Sequence, residues 1–167
     1  MYELLILRHA KATWEASTSV DFERPLSERG RKEALKMGRH LERSGWWPDT
    51  ILCSSAVRTV QTLDRITQGA GRSQAGVLFD PKIYGAELDY LLTLPGRHAH
   101  QGTQRLMILG HNPGLEDLLV HLVDAVPKKT KLLPTATLAR LRLARIDPLE
   151  PACATLLDRV RGRELED

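Results

Sequence analysis

The chain has 167 residues, 42% of them hydrophobic and 27% charged, with a formal net charge of +3. That length suits one compact domain with a real core and is short for two. The composition is ordinary for a soluble globular protein, and no stretch approaches the ~20 apolar residues that cross a bilayer.

The start, Met1-Tyr2-Glu3, lacks the basic and apolar regions of a signal peptide, so a cytoplasmic location is expected. Cys53 and Cys153 are the only cysteines. Two widely separated thiols make no disulfide framework and read as small buried hydrophobes. Much of the positive excess falls on Lys128, Lys129, Lys131, Arg140, Arg142 and Arg145. Without interleaved aromatics these read as a solvated face, so neither nucleic acid nor membrane is expected as a partner.

In chain order, Glu3 to Arg8 reads as a first strand. A polar loop follows from Lys11 to Pro25, carrying Trp14. Ser27 is a plausible N-cap for a helix to Arg43, with Ala34, Leu35, Met37, Gly38 and Leu41 facing inward. Ser44-Gly45 ends it, and Pro48-Asp49 turns into a strand at Thr50–Cys53. Ser55 is the expected cap of a helix over 56–68, closed by Gly69-Ala70-Gly71. Val77-Leu78-Phe79 is a weak strand, and Ala86 to Leu94 a short helix stopped by Pro95-Gly96. Leu106–Leu109 is the next strand, followed by a helix from Gly114 to Val123 that Pro127 keeps short.

The last third changes character. Thr135–Leu143 and Ala152–Val160, separated by Asp147-Pro148-Leu149-Glu150-Pro151, read as an antiparallel hairpin at a sheet edge. Leu138, Leu141 and Leu143 break strict alternation, which leaves a helix open there. The sum is an α/β single domain spanning 1–167, a three-layer αβα sandwich with a mostly parallel sheet. Core motifs fall within residues 3–125 and the hairpin within 135–160.

Two histidines follow two of the most apolar runs. Leu4-Leu5-Ile6-Leu7 leads into Arg8-His9, and Leu106-Met107-Ile108-Leu109 into Gly110-His111-Asn112-Pro113-Gly114. Such runs read as strands buried on both faces, and open α/β sheets bind ligands beyond the carboxyl ends of their strands. If the two strands are neighbours, both imidazoles share one sheet edge. A neutral imidazole attacks phosphorus to form a covalent intermediate, and an adjacent guanidinium offers a fork for phosphoryl oxygens. A structural histidine bonded to a carbonyl is the alternative. Arg58 falls in the first turn of its helix, where a cation opposes the dipole unless an anion offsets both. Pairing with Asp64 or Glu28 is the alternative there. His111, held beside Arg8, Arg58 and a dianion, would stay protonated and donate to the phosphoryl group.

Arg8-His9, Arg58 within Ser54-Ser55-Ala56-Val57-Arg58-Thr59-Val60-Gln61-Thr62, and Gly110-His111-Asn112-Pro113-Gly114 together resemble the histidine phosphatase superfamily, related to phosphoglycerate mutase. Leu7-Arg8-His9-Ala10-Lys11-Ala12, with the segment from Asp21 to Gly30, is similar to its short branch, the SixA-like phosphohistidine phosphatases. The resemblance implies a cofactor-free phosphatase in which His9 is phosphorylated and Arg8, Arg58 and His111 form the phosphate pocket. It implies Glu87, with Asp89 behind it, as a proton donor, although Glu87 equally suits a helix first turn. Lys11, Trp14 and Arg24 are candidates for the rim, with Lys11 and Arg24 as possible substrate contacts. The interval from Arg58 to His111 leaves little for the lid that larger members carry. An uncapped pocket suits a phosphohistidine-bearing protein, and also admits a small phosphorylated substrate.

His40, His98, His100 and His121 read as surface or cap residues. No metal is expected, because the residues placed beside His9 and His111 are arginines, which repel a cation. The rival functions are a phosphomonoesterase of the same superfamily acting on small metabolites, and a phospho-ligand binding module that turns nothing over.

Overall fold

The computed structural model describes residues 1–14, 18–124 and 131–167; Pro127, Lys128 and Lys129 lie outside the described residues. Six strands form one sheet: β1 (Tyr2–Arg8), β2 (Thr50–Ser54), β3 (Val77–Asp80), β4 (Arg105–Gly110), β5 (Thr137–Leu143) and β6 (Ala154–Arg161). Their order is β3-β2-β4-β1-β5-β6, with the first four parallel and β5 and β6 antiparallel to their neighbours. The four α-helices are α1 (Glu28–Arg43), α2 (Val57–Ala70), α3 (Leu88–His98) and α4 (Gly114–Leu122).

The apolar runs form strands because both of their faces are covered. Leu5, Leu7, Met107 and Leu109 pack with residues of α1 and α2, while Leu4, Ile6, Leu106 and Ile108 pack with residues of α3 and α4. This is the expected three-layer sandwich. The helix after β1 lies on one face and the helix after β4 on the other, although β1 and β4 are paired neighbours. Adjacent strands whose connections leave on opposite faces open a crevice beyond their carboxyl ends.

The hairpin is β-structure, and the helical alternative for it is excluded. Leu138 breaks alternation because it packs against the α1/α2 layer, while Ala139, Leu141 and Leu143 serve the α3/α4 layer. β5 therefore lies inside the sheet, and of the hairpin strands β6 alone is an edge, with β3 at the other side. A register shift at Arg140/Leu141 marks an irregularity between the two strands.

Two helix ends differ from expectation. The N-cap of α2 is Ala56 without a side-chain cap, not Ser55; the Ser54 hydroxyl accepts from Ala56 N–H at 3.3 Å. The 86–94 helix instead runs Leu88–His98, with Pro95 inside it rather than ending it. Proline cannot donate to the carbonyl four residues back, but the burial of Leu91, Leu94 and Pro95 holds this short helix on the sheet and Ala99 N–H closes its end on Pro95 O at 2.9 Å. Ser27 caps α1 as expected, accepting from Gly30 N–H at 3.0 Å.

Helices α1 and α2 pack with their backbones close. A Cβ on Gly38 would collide with the Ile66 carbonyl, and one on Gly69 with the Leu35 carbonyl. Gly38→Ala should thus lower stability by about 1–3 kcal/mol through overpacking, despite an intrinsic helix gain of about 1 kcal/mol. Urea unfolding checks this; a variant as stable as the parent would show that the helices separate without penalty.

Candidate active site

The site is assembled by strand register. β1 and β4 align Arg8 with Gly110, so His9 and His111 each stand one residue beyond the sheet on neighbouring strands. His9 N–H donates to Gly110 O at 3.1 Å, and the two ring centroids lie 5.2 Å apart. On the other side of β4, β2 ends at Ser54 and leads into α2, whose first turn carries Arg58. Thr62 on α2 accepts from Ala10 N–H at 3.0 Å, tying that helix to the turn after His9.

His9 is 7% exposed. Its Nδ1 lies 2.7 Å from the Ala10 carbonyl, which can only accept, so the ring proton is assigned to Nδ1 and Nε2 carries the lone pair. Arg58 Nε–H donates to that Nε2 at 3.3 Å. Burial, reinforced by His111, Arg58 and Arg8, pushes the His9 pKa down from 6.5 to about 3. At neutral pH His9 is an uncharged imidazole whose unprotonated Nε2 gives up only a long bond from Arg58 when it attacks. Those are the requirements for a nucleophile.

His111 is 8% exposed, and its Nε2 lies 2.7 Å from Ser54 Oγ. Ser54 Oγ accepts from Ala56 N–H, and His111 Nε2 is the acceptor that its own proton meets among the described residues, so that proton is assigned to His111 Nε2. The ring proton then sits on Nδ1, which has no partner among the described residues. Burial and then Arg58 push the His111 pKa down to about 4. The protein's own charges thus favour neutral His111, and the protonated form expected from the sequence needs the charge that a phosphoryl dianion brings. The neutral ring can still donate through Nδ1.

Arg58 is 6% exposed, with each guanidinium nitrogen engaged: Nε on His9, Nη1 on the Asp21 carbonyl at 2.7 Å and Nη2 on Asp21 Oδ2 at 3.0 Å. Asp21 Oδ2 also accepts from Tyr84 Oη at 2.6 Å, and Oδ1 from Arg24 Nη1 at 3.1 Å. The Tyr84 hydroxyl, followed by Arg24 and Arg58, holds the Asp21 carboxyl at about 2. The partner of Arg58 is therefore Asp21, not Asp64 or Glu28.

Arg8 Nη1 donates to Leu133 O at 3.0 Å. Asn112 Nδ2 donates to the same carbonyl at 2.9 Å, and Leu133 N–H donates to Glu116 Oε1 at 2.9 Å. Ala136 N–H donates to His9 O at 2.9 Å. The segment before β5 thereby anchors both residues of the Arg8-His9 pair. Burial lowers the Arg8 pKa, and the charge of Glu116 opposes that shift.

The structure thus brings Arg8, His9, Arg58 and His111 together. Lys11 is exposed, and its carbonyl serves Ser27. Arg24 stacks on Trp14 at 4.0 Å and bonds Asp21, so both residues brace the first loop. Glu87 is the exposed N-cap residue of α3 and makes no capping hydrogen bond; with His111 it lines a cavity of about 420 Å³. Asp21, Tyr84, Ser54 and Glu116 went unassigned in the sequence reading. Asp21, inside the motif quoted for the first loop, and Ser54, inside the motif around Arg58, carried a local signal. His40 is half-buried against Trp46 rather than a plain surface residue. No three His, Cys, Asp or Glu side chains are grouped to hold a metal among the described residues. Nor is any helix there long and apolar enough to cross a membrane.

The model of the histidine phosphatase superfamily (branch 1) matches residues 4–83, which include Arg8, His9 and Arg58. This chain belongs to that superfamily. A Mycobacterium tuberculosis protein described as uncharacterized is 31% identical over 159 residues, covering 90% of this chain and 96% of its own. An uncharacterized chloroplastic protein of Arabidopsis thaliana is 34% identical over 121 residues, 68% of this chain; the match spans just over half, 56%, of that relative's length. Among solved structures, a SixA protein from Agrobacterium tumefaciens, described as a candidate phosphohistidine phosphatase, superposes with a TM-score of 0.77 at 28% identity. That alignment covers 95% of this chain and 97% of the other. The chain is accordingly a hydrolase of phosphoryl groups, and its substrate is phosphorylated.

Two predictions follow from this geometry. Histidines held neutral below their ordinary pKa oppose folding once the unfolded chain takes up protons, so stability is full above about pH 6.5 and is lost as pH falls toward about 4 and 3. The slope approaches about 1.4 kcal/mol per pH unit for each histidine. Urea unfolding at pH 7 and pH 5 should show a smaller loss for His9→Asn than for the parent, and equal losses would refute the buried neutral state. Asp21→Ala should raise KM for p-nitrophenyl phosphate about fivefold, the partial exposure of Asp21 limiting the effect to about 1 kcal/mol. Asp21→Asn, which keeps an oxygen toward Arg58, should recover most of that, as steady-state kinetics would show.

Proposed function

We propose that this protein removes phosphoryl groups from phosphohistidine on other proteins, through a covalent phosphohistidine formed on His9. The observation that carries this reading is the unprotonated Nε2 of His9, its tautomer fixed by Ala10 O and its lone pair held by Arg58 Nε–H at 3.3 Å, in a cup shared with Arg8 and His111. Its resemblance to a SixA protein over 95% of the chain supports the choice of substrate.

In the first step Nε2 of His9 forms a bond to phosphorus as the P–N bond of the substrate breaks. The electron pair of that bond returns to the substrate nitrogen, which leaves as a neutral imidazole because its ring already bears a proton on the other nitrogen. His9 keeps its Nδ1–H on Ala10 O, and its ring takes the positive charge the substrate ring gives up. Arg8, Arg58 and the Nδ1–H of His111 receive the phosphoryl oxygens where negative charge concentrates. Transfer between two imidazoles is nearly symmetric, and an imidazole of pKa about 6.5 needs no strong general acid to leave. In the second step water attacks phosphorus, the P–Nε2 bond breaks, and dihydrogen phosphate departs with His9 restored. No step uses a metal or cofactor, and Lys11 and Arg24 carry none.

A cytoplasmic location belongs to this reading, in keeping with two free thiols, of which Cys53 is fully buried and pushed up by burial. The test is trapping by an alkaline denaturing quench after mixing with a radiolabelled phosphohistidine protein, with enzyme and substrate separated by size. The parent should yield a base-stable, acid-labile adduct that His9→Ala lacks, and turnover of the phosphohistidine protein should fall by at least about a thousandfold, as for loss of a covalent nucleophile. Turnover in His9→Ala at the parental rate would overturn the mechanism, and binding without turnover in the parent would favour a non-catalytic module.

A further inference from the structure

The cavity beside His111 has a character opposite to that of the phosphate cup. Its volume is about 420 Å³, and it runs between the starts of α3 and α4. Ile83, Leu88, Leu91 and Leu115 supply apolar wall, while Glu87, Asp89 and Asp117 supply three carboxylates and no lysine or arginine lines it. Acidic residues do suit helix starts. Yet Glu87 makes no capping bond, and the cavity's histidine, His111, is more than nine-tenths buried with Nδ1 unpartnered. One ring therefore joins two compartments, a cationic cup built on Arg8 and Arg58 and an acid-rimmed, apolar-walled cavity of side-chain size.

We propose that this cavity is the leaving-group subsite and that it takes the cationic nitrogen side chain of an N-phosphorylated residue, the imidazolium of phosphohistidine. The inference rests on the phosphatase reading above and deepens it. A phosphoramidate reacts with its nitrogen side chain carrying a proton, so the substrate is a dianion fused to a cation. A phosphomonoester bears no such positive charge beside its phosphorus. The cup matches the anionic half and the carboxylates match the cationic half. Opposite charges favour the protonated imidazole, so Glu87, Asp89 and Asp117 keep the substrate in the form from which the P–N bond breaks. Apolar walls accept the ring itself. Glu87 in this arrangement is not the proton donor of an ester hydrolase but one of three anions facing a cation that arrives already protonated.

The experiment compares kcat/KM for a phosphohistidine peptide with kcat/KM for p-nitrophenyl phosphate, in the parent and in the triple variant Glu87→Gln/Asp89→Asn/Asp117→Asn. Partial unfolding lowers both values alike and cancels in the ratio. Removing three solvent-screened carboxylates should reduce the ratio about fivefold or more, since each exposed charge interaction is modest. An unchanged ratio in the variant, with the parent turning over the peptide, overturns this inference alone. A parent that hydrolyses p-nitrophenyl phosphate and leaves the peptide intact overturns the phosphohistidine reading on which it rests.

Discussion

The pairing of β1 with β4 is the constraint on which the site depends. Parallel register places Arg8 opposite Gly110, and everything one residue further along follows: His9 beside His111, with a backbone bond between the two turns. A one-residue slip in a strand turns each side chain to the opposite face. Here a slip would move Leu4 and Ile6 into the α1/α2 layer and carry His9 out of the cup. Leu4, Leu5, Ile6 and Leu7, all fully buried, thus enforce the spacing of two rings that they do not touch as a hydrophobic cluster. The same burial that makes the fold stable sets the position of the chemistry.

Covering the site falls to segments outside the central strands. Asp21 and Tyr84 come from the loops after β1 and β3 and meet at Arg58, while Leu133 and Ala136, ahead of β5, hold Arg8 and His9 through backbone groups. The result is a cup in which His9, Arg58 and His111 are each at most 8% exposed. The expectation of an open pocket needs that amendment. The interval from Arg58 to His111 is indeed consumed by ordinary elements, but the first loop closes over Arg58 from the other side. Among the described residues, the cavity next to His111 remains open.

Much of this was legible in the chain. Apolar runs ending in histidine named the strands, and Ser27 named the start of α1. Ser55 failed as a cap because the helix starts one residue later, at Val57, and its N-cap Ala56 has no side-chain oxygen; Ser54, still in β2, turns its hydroxyl to Ala56 N–H and His111 instead. Pro95-Gly96 failed as a stop because propensity rules price an isolated helix, and α3 is held by buried Leu91 and Leu94. Asp21, Tyr84 and Glu116 act across the fold, at separations no local periodicity records. Glu116 reaches Arg8 only through the Leu133 peptide.

Charge balance links these details. Burial, reinforced by His111 and the two guanidiniums, leaves His9 unprotonated and nucleophilic, and the guanidiniums brought together in the cup repel each other. Uncompensated, such a cup would destabilise the fold. The structure answers each arginine with one carboxylate outside the reaction space: Asp21 bonds the outer nitrogens of Arg58, and Glu116 offsets Arg8 through an intervening peptide rather than by direct contact. The counter-charges sit behind or beside the guanidiniums, so some of the donors of each remain for an incoming anion. Direct bidentate pairing of either arginine would have bound the carboxylate in place of phosphate, as strong charge-assisted forks do. Compensation by one carboxylate oxygen at Arg58 and through a peptide at Arg8 keeps the cup folded without occupying every donor that a phosphoryl group must meet.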